Sequence, residues 1–339
     1  MRRMHSSYVT GSKSLSKSCR VQTASPCRTA KVRLCFLFAV ASILIASTGL
    51  SAQTSTIAAR LGYPADSKLL IIHADDLAVA HSVDAASFAA LDQKAVSSAS
   101  IMVPCPWLAE VADYARSHPD ADLGLHLTLN SEWKTYRWGP VAPKDEVLSL
   151  LAPDGYLFGE GAGFRTHAKA DDVEREIRAQ AGQAMKLGIH PTHFDSHMGS
   201  LFLSPDLFWV YVKVAHDYTL PFLAVRVSDD ERSKLLSLLS DKDIVLDSVV
   251  IFDPRIPPDH WTESYVKALQ SLKPGLHEMI VHLGHDDSEL QAVTVDHPDY
   301  GAAWRQRDFN AVTSPEFKKA LEENHIILVR WKDLNKLLL

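Results

Sequence analysis

Acidic residues are missing from the first 65 positions of this 339-residue chain; the first is Asp66. Residues 1–33 carry eight Lys or Arg, and an apolar run follows at 34–50, "LCFLFAVASILIASTGL". A basic segment, an apolar segment and then small residues ("SAQTS") form the pattern of an export signal. We expect residues 1–52 to be a signal peptide cleaved after Ala52. If uncleaved, they would be an N-terminal membrane anchor, since an apolar run of about 17 residues is near the lower limit for spanning a bilayer. Either way the chain is expected to be exported, periplasmic or secreted, with no membrane contact for the mature domain once the signal is gone. Removing the eight leader cations from the 35 Lys and Arg leaves 27 against 41 Asp and Glu, a net charge of −14. A domain this acidic is not a nucleic-acid binder.

Cysteine is also scarce. Cys19, Cys27 and Cys35 fall in the leader, so Cys105 alone remains and no internal disulfide can form even in an oxidising compartment. The chain lacks internal repeats, low-complexity tracts after the leader, a glycine-rich phosphate loop and a dense Lys/Arg cluster. Residues 53–339 have the length of one large domain.

Within that domain, short β-rich runs alternate with helical patterns. The runs are 69–74, 98–103, 123–129, 191–196, 222–227, 245–252, 278–283 and 326–331. Helices are predicted over 80–94, 107–119, 170–188, 204–218 and 314–325. The third takes Asp171 or Asp172 as its N-cap and Gly188 as its stop; the last two begin Ser-Pro, a cap followed by proline in the first turn. Strand–helix alternation gives an α/β fold with a parallel sheet, and eight strands suggest a (β/α) barrel, an irregular one. Residues 130–169 break the rhythm with Trp133, Tyr136, Trp138, Tyr156 and Phe158. A loop of that length in a compact domain is either functional or packed by its own aromatics.

A barrel carries its active site at the C-terminal ends of its strands. There the sequence places Asp75 and Asp76, then His126, then His193, Asp195 and His197, then Arg226, then His282, with His285, Asp286 and Asp287 beyond. Imidazole and carboxylate together suit one divalent metal ion, zinc or magnesium first, cobalt or manganese as alternatives. One carboxylate of the Asp75–Asp76 pair would bind the metal and the other would take a proton from water; the metal's charge would relieve their mutual repulsion. Each piece has a plainer reading. The pair can cap the following helix, His126 can be a satisfied core histidine, and the loop 285–287 can be solvated. His73 is read as structural, pointing away from Asp76. Spacing alone leaves His193 and His197 equal as ligands.

In order, "HADD" (73–76), "GLHLTLN" (124–130), "PTHFDSHMG" (191–199) and "HEMIVHLGHDD" (277–287) resemble the YdjC-like carbohydrate deacetylases. That group includes chitooligosaccharide deacetylases and hopanoid-associated deacetylases. The resemblance implies an irregular barrel related to the NodB-type deacetylases, and metal-dependent removal of N-acetyl groups from amino sugars. It implies Asp75 as base and Asp76, His126 and His197 as metal ligands. His282 would be the general acid, and His193 and Asp195 would orient the ligands. The substrate would be an N-acetylated sugar or oligosaccharide, with Trp107, Trp133 or Trp138 available to stack on a ring and Arg226 to reach a hydroxyl or carboxylate. This chain departs from the usual Asn-Ala-Asp-Asp-Phe-Gly at His73, Leu77 and Ala78, and Leu283 replaces a proline. A metal-dependent phosphoesterase and a non-catalytic carbohydrate-binding protein are the alternatives, and a homodimer is left open.

Overall fold

The structure is a computed structural model that describes residues 56–159, 161–226 and 230–338, for 230–232 the backbone alone. The expected export signal, residues 1–52, lies outside the described residues. The elements run α1 (Ile57–Leu61), β1 (Lys68–Leu77), α2 (His81–Asp92), β2 (Ser98–Ile101), α3 (Leu108–Ser117) and β3 (Leu123–Leu127). Then follow α4 (Gly161–His167), α5 (Ala170–Lys186), β4 (Phe194–Ser196), α6 (Pro205–Tyr218), α7 (Asp230–Leu236), β5 (Ser248–Val250) and α8 (Trp261–Ser271). The chain ends with β6 (Gly275–Val281), α9 (Ser288–Val293), α10 (Ala302–Val312), α11 (Pro315–Glu323), β7 (Ile326–Leu328) and α12 (Trp331–Leu334).

All the strand ladders are parallel, in the order β4-β3-β2-β1-β6-β5. The described part of the predicted run 222–227, residues 222–226, forms no ladder. It makes single bridges, Phe222 to Phe194 on one side and Val225 to Leu246 on the other, and so spans the gap between β4 and β5. The eighth predicted run supplies β7, which pairs with Lys68–Leu70 at the start of β1, while β2 pairs with His73–Leu77 further along. With β6 along the opposite edge, β2 and β7 share one side of β1 end to end. The result is an irregular (β/α) barrel.

Side-chain alternation along β1 sorts two apolar cores. Leu70, Ile72 and Ala74 pack under the surrounding helices. Leu69 and Ile71 point into the barrel, where they meet Leu246, Leu276 and Trp331 at its floor. Polar residues occupy the layer above that floor, and the site stands on top of it. One close approach fixes the interior: a Cβ on Gly124 would overlap the His193 ring.

The Ser-Pro starts behave as expected, Ser204 Oγ accepting from the Leu207 amide (3.4 Å) and Ser314 Oγ from that of Phe317 (3.1 Å). The α5 cap differs. Lys169 holds the N-cap position, and Asp171 and Asp172 lie within the first turn, where they complement the helix dipole's positive end and Asp172 accepts from Ser149. Gly188 does terminate it, with φ +83.

Candidate active site and metal centre

Adjacent strand residues normally face opposite ways, so two neighbouring aspartates should not share a site. β1 solves this with a register shift. Ala74 pairs with Ala99 but Leu77 pairs with Ile101, so three steps on β1 match two on β2. Asp76 takes φ +71 within that irregularity, and Asp75 and Asp76 both line one cavity of about 1050 Å³. Neither caps the next helix, whose N-cap is Ala80 without a side-chain bond.

Asp76 Oδ1 is buried and accepts no hydrogen bond. It faces His126 Nε2 at 3.4 Å and His197 Nδ1 at 3.5 Å. The remote nitrogen of each imidazole is already held: His126 Nδ1 by Asp195 Oδ1 at 2.7 Å, His197 Nε2 by Glu132 Oε2 at 3.0 Å. Ligand atoms of Asp76, His126 and His197 lie within 4.8 Å of one another, and all three residues are buried. Two imidazoles and a carboxylate converging on an orphaned oxygen, each imidazole fixed from behind by a carboxylate, fit a divalent cation.

Two other groups offer the same spacing, Asp75–His126–Asp195 and His73–His193–Asp195. In both, histidine nitrogens are already bonded to the group's own Asp195, although His193 Nε2 is buried without a partner. His126 Nδ1 is bonded to Asp195, and His73 lies between Ser98 Oγ (Nδ1, 3.1 Å) and Ser100 Oγ and Asp195 Oδ2 (Nε2, both 3.0 Å). Neither His73 nor His193 lines the cavity.

Electrostatics follow from this packing. Burial would raise the Asp76 carboxyl, but Arg305 foremost, then His197 and His282, hold it well below the usual range. The Arg305 contact is a buried ion pair, Nη2 to Asp76 Oδ2 at 2.7 Å, and its Nε and Nη1 have no partner. Burial lowers His197, yet Glu132 and Asp76 outweigh it and raise the imidazole to about 10. A proton thus takes the place on His197 that a cation would contest. His282 Nε2 lies 3.8 Å from Asp75 Oδ2, and burial, despite Asp76 and Asp75, lowers its pKa. The Asp308 carboxylate fixes that corner by accepting from the His282 amide (2.9 Å), the Trp261 indole (2.9 Å) and the Tyr265 hydroxyl (2.6 Å).

The structure therefore brings together Asp75, Asp76, His126, His197 and His282, with Asp195 behind His126. Three residues sit otherwise than the sequence suggested. His193 bonds no ligand; it is fully buried one layer down, stacked on Trp331 at 5.2 Å and edge-on to His73 at 5.0 Å. Trp107 is outside the cavity lining. It is 37% exposed just before α3, at the helix start the sequence also placed there, its indole beside His81 at 5.1 Å. Arg226 does line the cavity, but on its open edge with its Nε 3.3 Å from Asp247 Oδ1. His73, read as structural, faces inward beneath Asp75, its Nε2 3.2 Å from Asp75 Oδ1. Glu132 and Arg305 were not foreseen. Glu132 sits in the irregular loop and Arg305 on α10, away from the strand ends; nothing in either local sequence marks a role. Of the loop's tryptophans, Trp133 lines the cavity, whereas Trp138 donates its indole N–H to the Asn130 carbonyl (2.8 Å).

The profile of the YdjC-like protein family matches residues 69–323. A carbohydrate deacetylase of Thermus thermophilus is 33% identical over 265 residues, 76% of this chain and 91% of that protein. A chitooligosaccharide deacetylase of Yersinia enterocolitica is 24% identical over 262 residues, 76% and 95%. Among solved structures, an Enterococcus faecalis protein described as a candidate cellobiose-phosphate cleavage protein superposes with a TM-score of 0.67 at 26% identity. The match covers 79% of this chain and 99% of that one.

Proposed function

The chain belongs to the YdjC-like protein family, and from that premise we propose that it is a metal-dependent carbohydrate deacetylase, hydrolysing the N-acetyl amide of an amino sugar. The observation that carries this reading is the β1 irregularity, which turns Asp76 toward two imidazoles and sets its neighbour Asp75 in the same cavity, above His73 and 3.8 Å from His282. Asp76, His126 and His197 would hold the metal, and two nitrogen donors favour zinc over magnesium. A metal held there would supply Lewis acidity toward the acetamide carbonyl and a bound water.

Asp75 takes the proton of the attacking water. The water oxygen joins the carbonyl carbon, the C–N bond breaks, and one proton must reach the departing amine. His282 faces the same space and delivers it. Because its pKa lies below the ordinary value, His282 rests neutral and takes up that proton during turnover, its Nε2 standing 3.8 Å from Asp75 Oδ2. Asp195 and Glu132 hold the two imidazoles in the tautomers that leave His126 Nε2 and His197 Nδ1 facing inward. The two cavity-lining arginines are a sparse set for a phosphate ester, and Arg305 is already committed to Asp76. Residues 1–52 are proposed as the signal that exports the enzyme; N-terminal sequencing of the periplasmic or secreted protein tests this.

The deciding experiment measures metal content and acetate release from N-acetylated sugars and oligosaccharides, before and after chelation. Asp75→Asn should keep its metal and lose at least about 100-fold in turnover. His126→Ala and His197→Ala should lose metal as well. Full activity in Asp75→Asn removes that residue from the base role, and no acetate from any N-acetylated sugar removes the deacetylase reading.

A further inference from the structure

The cavity has two unlike sides. Asp75, Asp76, His126, His197, His282 and Arg305 line one, contributed by β1, β3, the end of β4, the residues after β6, and α10. The other follows the barrel wall from the 222–225 bridge segment to β5 and is aliphatic: Leu223, Val225, Val249 and Ile251, with Phe202 and Phe208 behind. Among the described residues, polar groups there are few. Ser248 Oγ is engaged by His277 Nδ1 at 2.7 Å, and Arg226 Nε by Asp247. The wall is not sealed. Unlike β1, buried from Leu69 to Leu77, the β5 residues Ser248–Val250 are all half-buried, and Ile251 beyond them is 57% exposed.

A scissile N-acyl amide likewise has two flanks. Its nitrogen carries the sugar, whose hydroxyls need hydrogen-bond partners; its carbonyl carbon carries a hydrocarbon, which needs none. The polar side, with Glu132, His297 and Tyr300 at its edge, suits the sugar. An acetyl methyl alone would leave the aliphatic wall facing water, an arrangement proteins avoid unless a ligand covers it. Resting on the deacetylase reading, we infer that this site accepts N-acyl amino sugars with acyl chains longer than acetyl, the chain lying along Leu223, Val225 and Val249. The chemistry is unchanged: water adds to the acyl carbon, the C–N bond breaks, the amine takes a proton, and a longer carboxylate leaves with the acyl group.

The test uses N-acetyl-, N-butanoyl- and N-hexanoylglucosamine on the metal-loaded enzyme, with Kd from calorimetry and kcat/KM from free-amine release. Affinity should rise with chain length by up to about fourfold per methylene, the transfer preference of one buried CH2. Val249→Asn, or Ile251→Asn at the rim if the former folds poorly, should shrink the hexanoyl-to-acetyl ratio by about tenfold. A Kd that is flat or rising with chain length overturns the inference, and if acetyl is still cleaved the deacetylase reading survives. Chain-length-dependent binding without amine release from any compound removes the deacetylase reading and leaves the wall's preference for hydrocarbon standing.

Discussion

Glu132 and Arg305 hold the proposed ligands from opposite directions, and their removal should have different signatures. The Glu132 carboxylate holds the far nitrogen of His197, so Glu132→Ala frees that ring to turn. The expected loss is about 10- to 100-fold in metal affinity, read by competition with a chelating indicator. Arg305 is the buried counter-charge of Asp76. Arg305→Met strands that carboxylate, and breaking such a pair costs about 3–5 kcal/mol. A bound cation would take over the neutralising role. The melting-temperature deficit of Arg305→Met should therefore be large in chelated protein and smaller at saturating zinc. An equal deficit in both conditions would mean that Asp76 does not face the cation.

At the scale of the element, β1 does the positioning. Asp76 and then Ala78 take positive φ, +71 and +75, which non-glycine residues adopt at a cost of roughly 1–2 kcal/mol each. Ala78 stands where the family resemblance has glycine. Ala78→Gly relieves that strain but loses a buried methyl, about 0.8 kcal/mol, and adds chain entropy of about 0.5–1 kcal/mol. These terms nearly cancel, so the variant should melt within a few degrees of the parent. Ala78→Val keeps the strain and adds a β-branched side chain in a fully buried place, and should cost more than about 2 kcal/mol. Equal melting of both variants would show that the strand end relaxes freely. The sequence displayed the β1 run and its paired aspartates, but not the register shift. Alternation predicts opposed side chains at 75 and 76, and only backbone geometry shows how both reach one cavity. The fifth run was legible as apolar and β-rich, yet forms single bridges. Local composition reports burial, whereas laddering depends on partners contributed by β4 and β5.

Across the whole molecule, what was legible from sequence was the set of groups at strand ends, because a barrel gathers those ends on one face. What was not legible was depth. His193, Asp195 and His197 share a strand face by alternation, but the first lies in a buried layer below the cavity, with His73, Glu278 and Trp331. That layer should set how stability changes with pH. Glu278 is pushed up to about 7, chiefly by burial, although His73 and the Trp331 indole N–H, which donates at 2.8 Å, oppose the rise. The folded state then binds more protons than the unfolded one between about pH 4.5 and 7, so this group's contribution is complete below that window and is lost as pH rises through it. The loss is on the order of 3 kcal/mol. His73 adds to the slope, since Asp195, Asp75 and Glu278 overcome burial and hold its pKa well above 6.5; its stabilisation is present below 6.5 and fades at higher pH. Glu278→Gln keeps an acceptor for Trp331, removes one titration and weakens the hold on the His73 proton. Melting temperature plotted from about pH 5 to 8 should therefore fall less steeply in Glu278→Gln than in the parent, and parallel curves would show that this carboxyl is not protonated in the folded core.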